Sequence, residues 1–184
     1  YQALEQIKAR LSKIIPSARI EHKKDIGKLL ISSNGAEIKL EVNLVARGIL
    51  GESKKQILSE KTSEEYEAFV SIQVMPFGQL YGGKICAALD RQHPRDLFDV
   101  KYFLENEGLS RDVVIGFLLA LISNDRPIHE VLNPNFLDQK KAMENQFLGM
   151  TSQNFAYEDF EETRLKLVQL TNKNLREEDK EFLL

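Results

Sequence analysis

Leu80-Tyr81-Gly82-Gly83-Lys84-Ile85-Cys86-Ala87-Ala88-Leu89-Asp90-Arg91-Gln92-His93-Pro94-Arg95-Asp96-Leu97-Phe98-Asp99-Val100 reads as two helices joined by a short corner. On the first, residues 80–90, Lys84, Ala88 and Arg91 share one face by the i, i+4, i+7 rule, whereas Ile85 and Leu89 share another. A lysine and an arginine therefore point the same way with only alanine between them. The second helix, residues 94–107, opens on Pro94, whose ring presets φ and whose missing N–H would be unpaired there anyway. Gly108 suits its C-terminal cap. Arg95 and Asp99 are four residues apart and Asp96 and Asp99 three apart, so a cation and two carboxylates gather beside the packing residues Leu97, Val100 and Leu104. Two readings stand side by side at this point: a phosphate-handling site, or a knot of ion pairs that orients two helices.

Downstream the helical period continues over residues 110–123, around 138–147, over 157–171 and in a short segment from Arg176. Upstream, residues 70–77 read as a strand closed by Pro76 and Gly78. Before it, residues 48–67 are charged and weakly patterned. Ser32-Ser33-Asn34-Gly35 separates two apolar runs, 28–31 and 36–45, and Asn-Gly in that place signals a hairpin because both residues tolerate positive φ. In the second run Ala36, Ile38, Leu40, Val42 and Leu44 alternate with Glu37, Lys39, Glu41 and Asn43, which predicts one packing face and puts Glu41 on the polar one. Residues 2–15 carry Leu4, Ile7, Leu11, Ile14 and Ile15 at helical spacing, ended by Pro16. The pattern predicts an α+β fold, an incomplete mixed sheet followed by a helical domain, divided as residues 1–78 and 79–184.

With 184 residues the chain can bury roughly 70% of its unfolded surface, enough to fold without covalent staples. Its single cysteine, Cys86, excludes an internal disulfide and reads as an inert core thiol. No apolar run reaches membrane-spanning length and no signal peptide opens the sequence, so a cytoplasmic protein without a membrane partner is expected. Lys and Arg number 25 against 28 Asp and Glu, a net charge of −3, so contact with nucleic acid must come from a local patch. His22, His93 and His129 are scattered without ligand spacing and read as surface or structural residues. The acidic run from Glu158 to Glu162 reads as a solvated helix face.

The run from Gly82 to Asp99 resembles the Lys…Ala-Leu-x-Arg…Pro-Arg-Asp-x-x-Asp motif of the AbiEii/AbiGii toxin family. The resemblance extends upstream to Ile38-Lys39-Leu40-Glu41-Val42-Asn43 and downstream to Arg126-Pro127-Ile128, Phe147-Leu148-Gly149-Met150-Thr151 and the closing residues 175–184. It implies a nucleotidyltransferase fold, a divalent metal such as Mg²⁺, a nucleoside triphosphate, an RNA acceptor such as tRNA, and a cognate antitoxin. It further implies that Glu41 is the strand carboxylate near the metal, that Lys84 contacts phosphate and that Asp96 and Asp99 are the acidic residues of the later motif. Arg91 and Arg95 would be supporting cations at the nucleotide. Phosphoryl transfer suits such a set, because it needs positioning and charge neutralisation more than covalent chemistry from the protein. If the resemblance holds, Glu41, Lys84, Asp96 and Asp99 are expected around one cleft.

The chain departs from the family pattern in lacking an upstream Gly-Gly/Ser-Thr turn and an Asp-x-Asp strand. On that ground it is expected to begin mid-domain and to be inactive by itself. The alternative is a non-catalytic module that binds a nucleotide or a protein through the same cluster.

Overall fold

The computed structural model describes residues 2–42 and 48–183, and the chain folds as two compact units, Tyr1–Ala46 and Arg47–Leu184. The fold class is α+β, as the sequence implies. Its described strands form two small antiparallel sheets where one mixed sheet was expected.

In the first unit, helix α1 (Gln2–Ile14) precedes an antiparallel sheet of order β1-β2-β3, with β1 spanning Arg19–Lys23, β2 Lys28–Ser33 and β3 Ala36–Glu41. A short 3-10 turn, Lys24–Ile26, joins β1 to β2 through Gly27 at φ 62°. The β2–β3 turn has Asn34 at φ 50° and Gly35 at φ 78°, the two positive values that a two-residue turn matching the strand twist demands. Leu4 of α1 packs on Leu29 and Ile31 of β2, with Ile7, Leu11, Ile20 and Leu40 around them. The apolar face anticipated for β3 is mostly uncovered: Ile38 is 61% and Val42 43% exposed, and only Leu40 is drawn into the core. The reason is position in the sheet, since β2 is central and buries its alternate residues, whereas β3 is an edge. Asn43, Leu44 and Val45, which the sequence assigns to the same strand, lie outside the described residues.

The second unit opens with a hairpin of β4 (Lys54–Ile57) and β5 (Ser71–Val74), joined through helix α2 (Glu60–Glu65). Neither β4 nor α2 has the clear periodicity by which it could have been placed; α2 is short and set by its N-cap, Ser59, whose hydroxyl accepts from the Thr62 N–H. The anticipated strand over 70–77 stops at Val74, because Pro76 ends the ladder and caps the next helix, so Phe77 is helical. Helices α3 (Phe77–Arg91), α4 (Pro94–Asn106), α5 (Arg111–Ile122), α6 (Ile128–Leu132), α7 (Lys140–Gln146), α8 (Tyr157–Asn174) and α9 (Glu177–Leu183) follow. One core joins them, built on Ile85, Leu89, Leu97, Phe117, Phe160 and Leu167.

Three glycines bring α3 and α5 to backbone contact. A Cβ on Gly82 would lie 2.2 Å from the Phe117 nitrogen, and one on Gly116 would lie 2.2 Å from the Gly78 carbonyl oxygen. Gly82 and Gly83 thus lie inside a helix, and Gly82 has a packing duty. Gln79, buried one turn ahead of Gly83, fastens the loop before β4: it accepts from the Leu50 N–H at 2.8 Å and donates to the Gly48 carbonyl at 2.8 Å. At the start of α5, Arg111 grips buried Asp179 with two bonds of 2.6 and 2.7 Å, locking α9 onto α5.

Candidate functional site

α3 and α4 meet at a corner whose sequence forces its shape. Gln92 ends α3 in the left-handed conformation at φ 50°, and Pro94 starts α4 with His93 as N-cap, its Nδ1 accepting from the Arg95 N–H. The helix end is then finished by side chains from distant segments. Arg126 donates to the Asp90 carbonyl at 2.9 Å and Gln139 to the Arg91 carbonyl at 3.2 Å, satisfying acceptors that the last turn leaves open. Gln92 itself is buried: its amide donates to the Asn135 carbonyl, and its oxygen accepts from the Leu137 N–H and from Arg164.

Arg164 on α8 is 5% exposed, and its guanidinium carbon lies over two aromatic rings, 4.3 Å from the centre of Phe136 and 4.9 Å from that of Phe160. It donates to Gln92 at 3.0 Å and to the Leu137 carbonyl at 2.7 Å, while burial pulls its pKa down. Sequence reading missed both Gln92 and Arg164. Single polar residues on helices otherwise read as surface, and nothing local marks them as partners 72 residues apart.

On this scaffold the long side chains of α3 reach across to α4 on either side of buried Ala88. Lys84 Nζ lies 2.5 Å from Asp99 Oδ2, and Arg91 Nη2 lies 2.9 Å from Asp96 Oδ1. The pairing thus runs between helices, not along α4. Arg95 is exposed and has no ion-pair partner among the described residues, so its i, i+4 spacing to Asp99 is not used. Lys84 and Asp99 are each about half exposed, whereas Asp96 is more covered and its Oδ2 is buried without a partner. Beside Lys84 and Asp99 opens a cleft of about 330 Å³ between the two helices, walled by Tyr81, Phe98, Tyr102 and Phe103 and ending at Asn106 and Glu107.

Glu41 belongs to the first unit and is described with it. It lies on the polar face of the sheet, as its alternation requires, held by Lys39 at 2.8 Å and by Lys28, its cross-strand partner, at 2.9 Å. Hydrogen bonds from Lys39 and then Lys28 hold its carboxyl down to about 2. Two ammonium groups already neutralise this carboxylate, and a divalent ion would have to displace them. Among the described residues no three His, Cys, Asp or Glu converge as a metal site needs, and Asp96 and Asp99 are each matched to a cation. The described residues alone do not fit a metal centre.

What the arrangement offers is one cation, Lys84, at an open cleft. Exposed ion pairs are loosely held, worth roughly 0–1 kcal/mol, so a phosphate oxygen can compete with Asp99 for Lys84 at little loss. No curated protein and no solved structure matches the chain. The family model described as nucleotidyl transferase AbiEii toxin, of a type IV toxin–antitoxin system, matches residues 2–166, and the chain belongs to that family.

Proposed function

We propose that this nucleotidyltransferase-like toxin moves a nucleotide from a nucleoside triphosphate to a hydroxyl of an RNA such as tRNA, and that Lys84, Asp96 and Asp99 belong to its catalytic site. Lys84, presented at the mouth of a cleft by a half-exposed carboxylate 2.5 Å away, is the observation that supports this most. In this reading its ammonium takes up negative charge that builds on the phosphate oxygens. Asp99 keeps Lys84 extended until phosphate arrives. Asp96 holds Arg91, and exposed Arg95 adds a further cation for the nucleotide.

The family implies a divalent ion, which the described residues do not hold by themselves. Glu41 would take part in holding Mg²⁺ only after exchanging its two lysines. The functional division would follow the sequence, with a nucleotidyltransferase-like part through residue 78 and a helical part beyond it. Among the described residues no helix is long and apolar enough to cross a membrane. The reading places the toxin in the cytoplasm, where triphosphates, tRNA and a cognate antitoxin meet it.

A second reading has direct support, because the same two pairs tie α3 to α4 in tandem and would orient helices with no ligand at all. Lys84→Ala in the full-length protein separates the two. An exposed pair contributes about 1 kcal/mol or less to stability, so melting should barely move. Transfer of labelled nucleotide to tRNA should fall on the order of 10²–10³-fold, the usual loss when one fixed electrostatic contact is removed. Full transfer by the mutant, or loss of transfer only in step with unfolding, would reject the phosphate role.

A further inference from the structure

We propose that the aromatic cleft between α3 and α4 receives the base of the nucleotide whose phosphates lie at Lys84, and that its far end selects bases carrying an amino group. The inference rests on the reading of Lys84 as a phosphate contact.

The cleft has a direction. Lys84 and Asp99 stand at one end, and beyond them, toward the helix corner, lie Arg91 and exposed Arg95. At the opposite end stand Asn106 and Glu107. Seven residues of α4 separate Asp99 from Asn106, about 10 Å at the helical rise, a reach suited to a sugar and base extending from a phosphate. Cations thus mark a phosphate end, and acceptors with aromatic walls mark a base end.

The walls suit stacking. Tyr81 stacks on Phe103 at 4.4 Å and meets Phe77, tilted, at 4.5 Å, while Phe77 and Phe103 meet at 6.1 Å, so this three-ring cluster is a rigid support. Phe98 and Tyr102 meet at 4.7 Å and are half-buried, and the Tyr102 hydroxyl is tethered to Gln153. A flat ligand entering the cleft meets fixed aromatic surface, which any nucleobase can use because each has a π face. The volume of about 330 Å³ lies at the low end for small-molecule sites, which start near 300 Å³.

The far end supplies selectivity. Asn106 donates through Nδ2 to the Tyr102 carbonyl at 2.7 Å. A carbonyl only accepts, so the amide orientation is fixed and its Oδ1 is left as an acceptor. The exposed Glu107 carboxylate adds two more acceptor oxygens. Cytosine, adenine and guanine bring an amino group to such acceptors. Uracil turns carbonyl oxygens toward them on either side of its single ring N–H and is repelled.

The test is calorimetric titration of the protein in Mg²⁺ buffer with CTP, ATP, GTP, UTP and inorganic tripolyphosphate, using wild type, Lys84→Ala, Tyr102→Ala and Glu107→Gln. Wild type should bind UTP at least fivefold more weakly than the best of the other three. Glu107→Gln, which replaces one acceptor oxygen by a donor while Asn106 keeps its own, should narrow that difference, and Tyr102→Ala should weaken every nucleotide at least fivefold while tripolyphosphate is unchanged. Should Tyr102→Ala unfold, Glu107→Gln, an exposed helix-end change, decides alone. If Glu107→Gln leaves the discrimination against UTP untouched while Lys84→Ala abolishes binding of tripolyphosphate and nucleotides alike, the base lies elsewhere and the phosphate reading survives. If Lys84→Ala binds tripolyphosphate as wild type does, or if wild type binds nothing, the phosphate reading falls and this inference falls with it.

Discussion

Gly82 and Gly83 are adjacent on one helix, yet adding a methyl group should move stability in opposite directions. A Cβ on Gly82 would sit 2.2 Å from the Phe117 nitrogen and 2.3 Å from the Gly116 carbonyl carbon, where ordinary contact begins at 3.4 Å. The atoms in the way are backbone, so no rotamer change relieves the overlap and the helices must part by about 1.2 Å. That separation also loosens Ile85, Leu89 and Phe117 in the shared core. Overpacking of this kind costs typically 1–3 kcal/mol, and with backbone on both sides Gly82→Ala should cost about 3 kcal/mol, the top of that range. For a chain of this length this is a fall of roughly 6–12 °C in Tm. A Cβ on Gly83 would meet nothing within 4 Å, and the residue has an ordinary helical φ. Gly83→Ala should therefore gain about 0.5–1 kcal/mol through helix propensity. Thermal melts followed by helical circular dichroism report on the second unit, which holds all helices from α3 to α9. Equal shifts for the two substitutions, or a Gly82→Ala protein melting within about 1 °C of wild type, would refute the close-contact argument. Because Lys84 is two residues further along, the same displacement should also weaken whatever Lys84 binds.

Two more outcomes follow from buried polar groups. Arg164→Ala strips Gln92 and the Leu137 carbonyl of their charged donor and removes the cation over the Phe136 and Phe160 rings, so it should cost on the order of 2–4 kcal/mol. Arg164→Lys should recover less than half of that loss, since an ammonium cannot donate and stack as a planar guanidinium does; full recovery in a melt would show that charge alone matters. Asp179 is held below its usual 3.8, first by hydrogen bonds from Arg111. Its folded form binds the proton less readily than its unfolded form, so its contribution is fully present above pH 3.8 and fades as pH drops below that. Asp179→Asn should lower Tm at neutral pH and flatten the acid limb, and an acid limb as steep as wild type's would assign the acid sensitivity to other carboxylates.

Local chemistry made much of the framework legible. The Asn34-Gly35 hairpin, the Pro94 start and Gly108 end of α4 and the amphipathic α1 are set by φ preferences and periodicity that each segment carries alone. Lys84, Arg91, Asp96 and Asp99 were legible as a cluster for the same reason, since helical spacing fixes which residues share a face. Their pairing was not. Asp99 meets Lys84 and not Arg95 because α4 lies against α3, and interhelical contacts are invisible to spacing along one helix. The exposure of Ile38 likewise came from β3 being an edge strand, a fact of sheet order that its alternation cannot express. Gln92 and Arg164 became recognisable only once α8 had packed on the α3–α4 corner, because burial alone turns an ordinary polar side chain into an obligatory partner. Sequence by itself thus determined the longer helices, the β2–β3 hairpin, the family motif and its charges, but not the short helices α2 and α6; tertiary structure decided which charges meet, which glycine is indispensable and where a cleft opens, since these depend on the approach of segments distant in the chain.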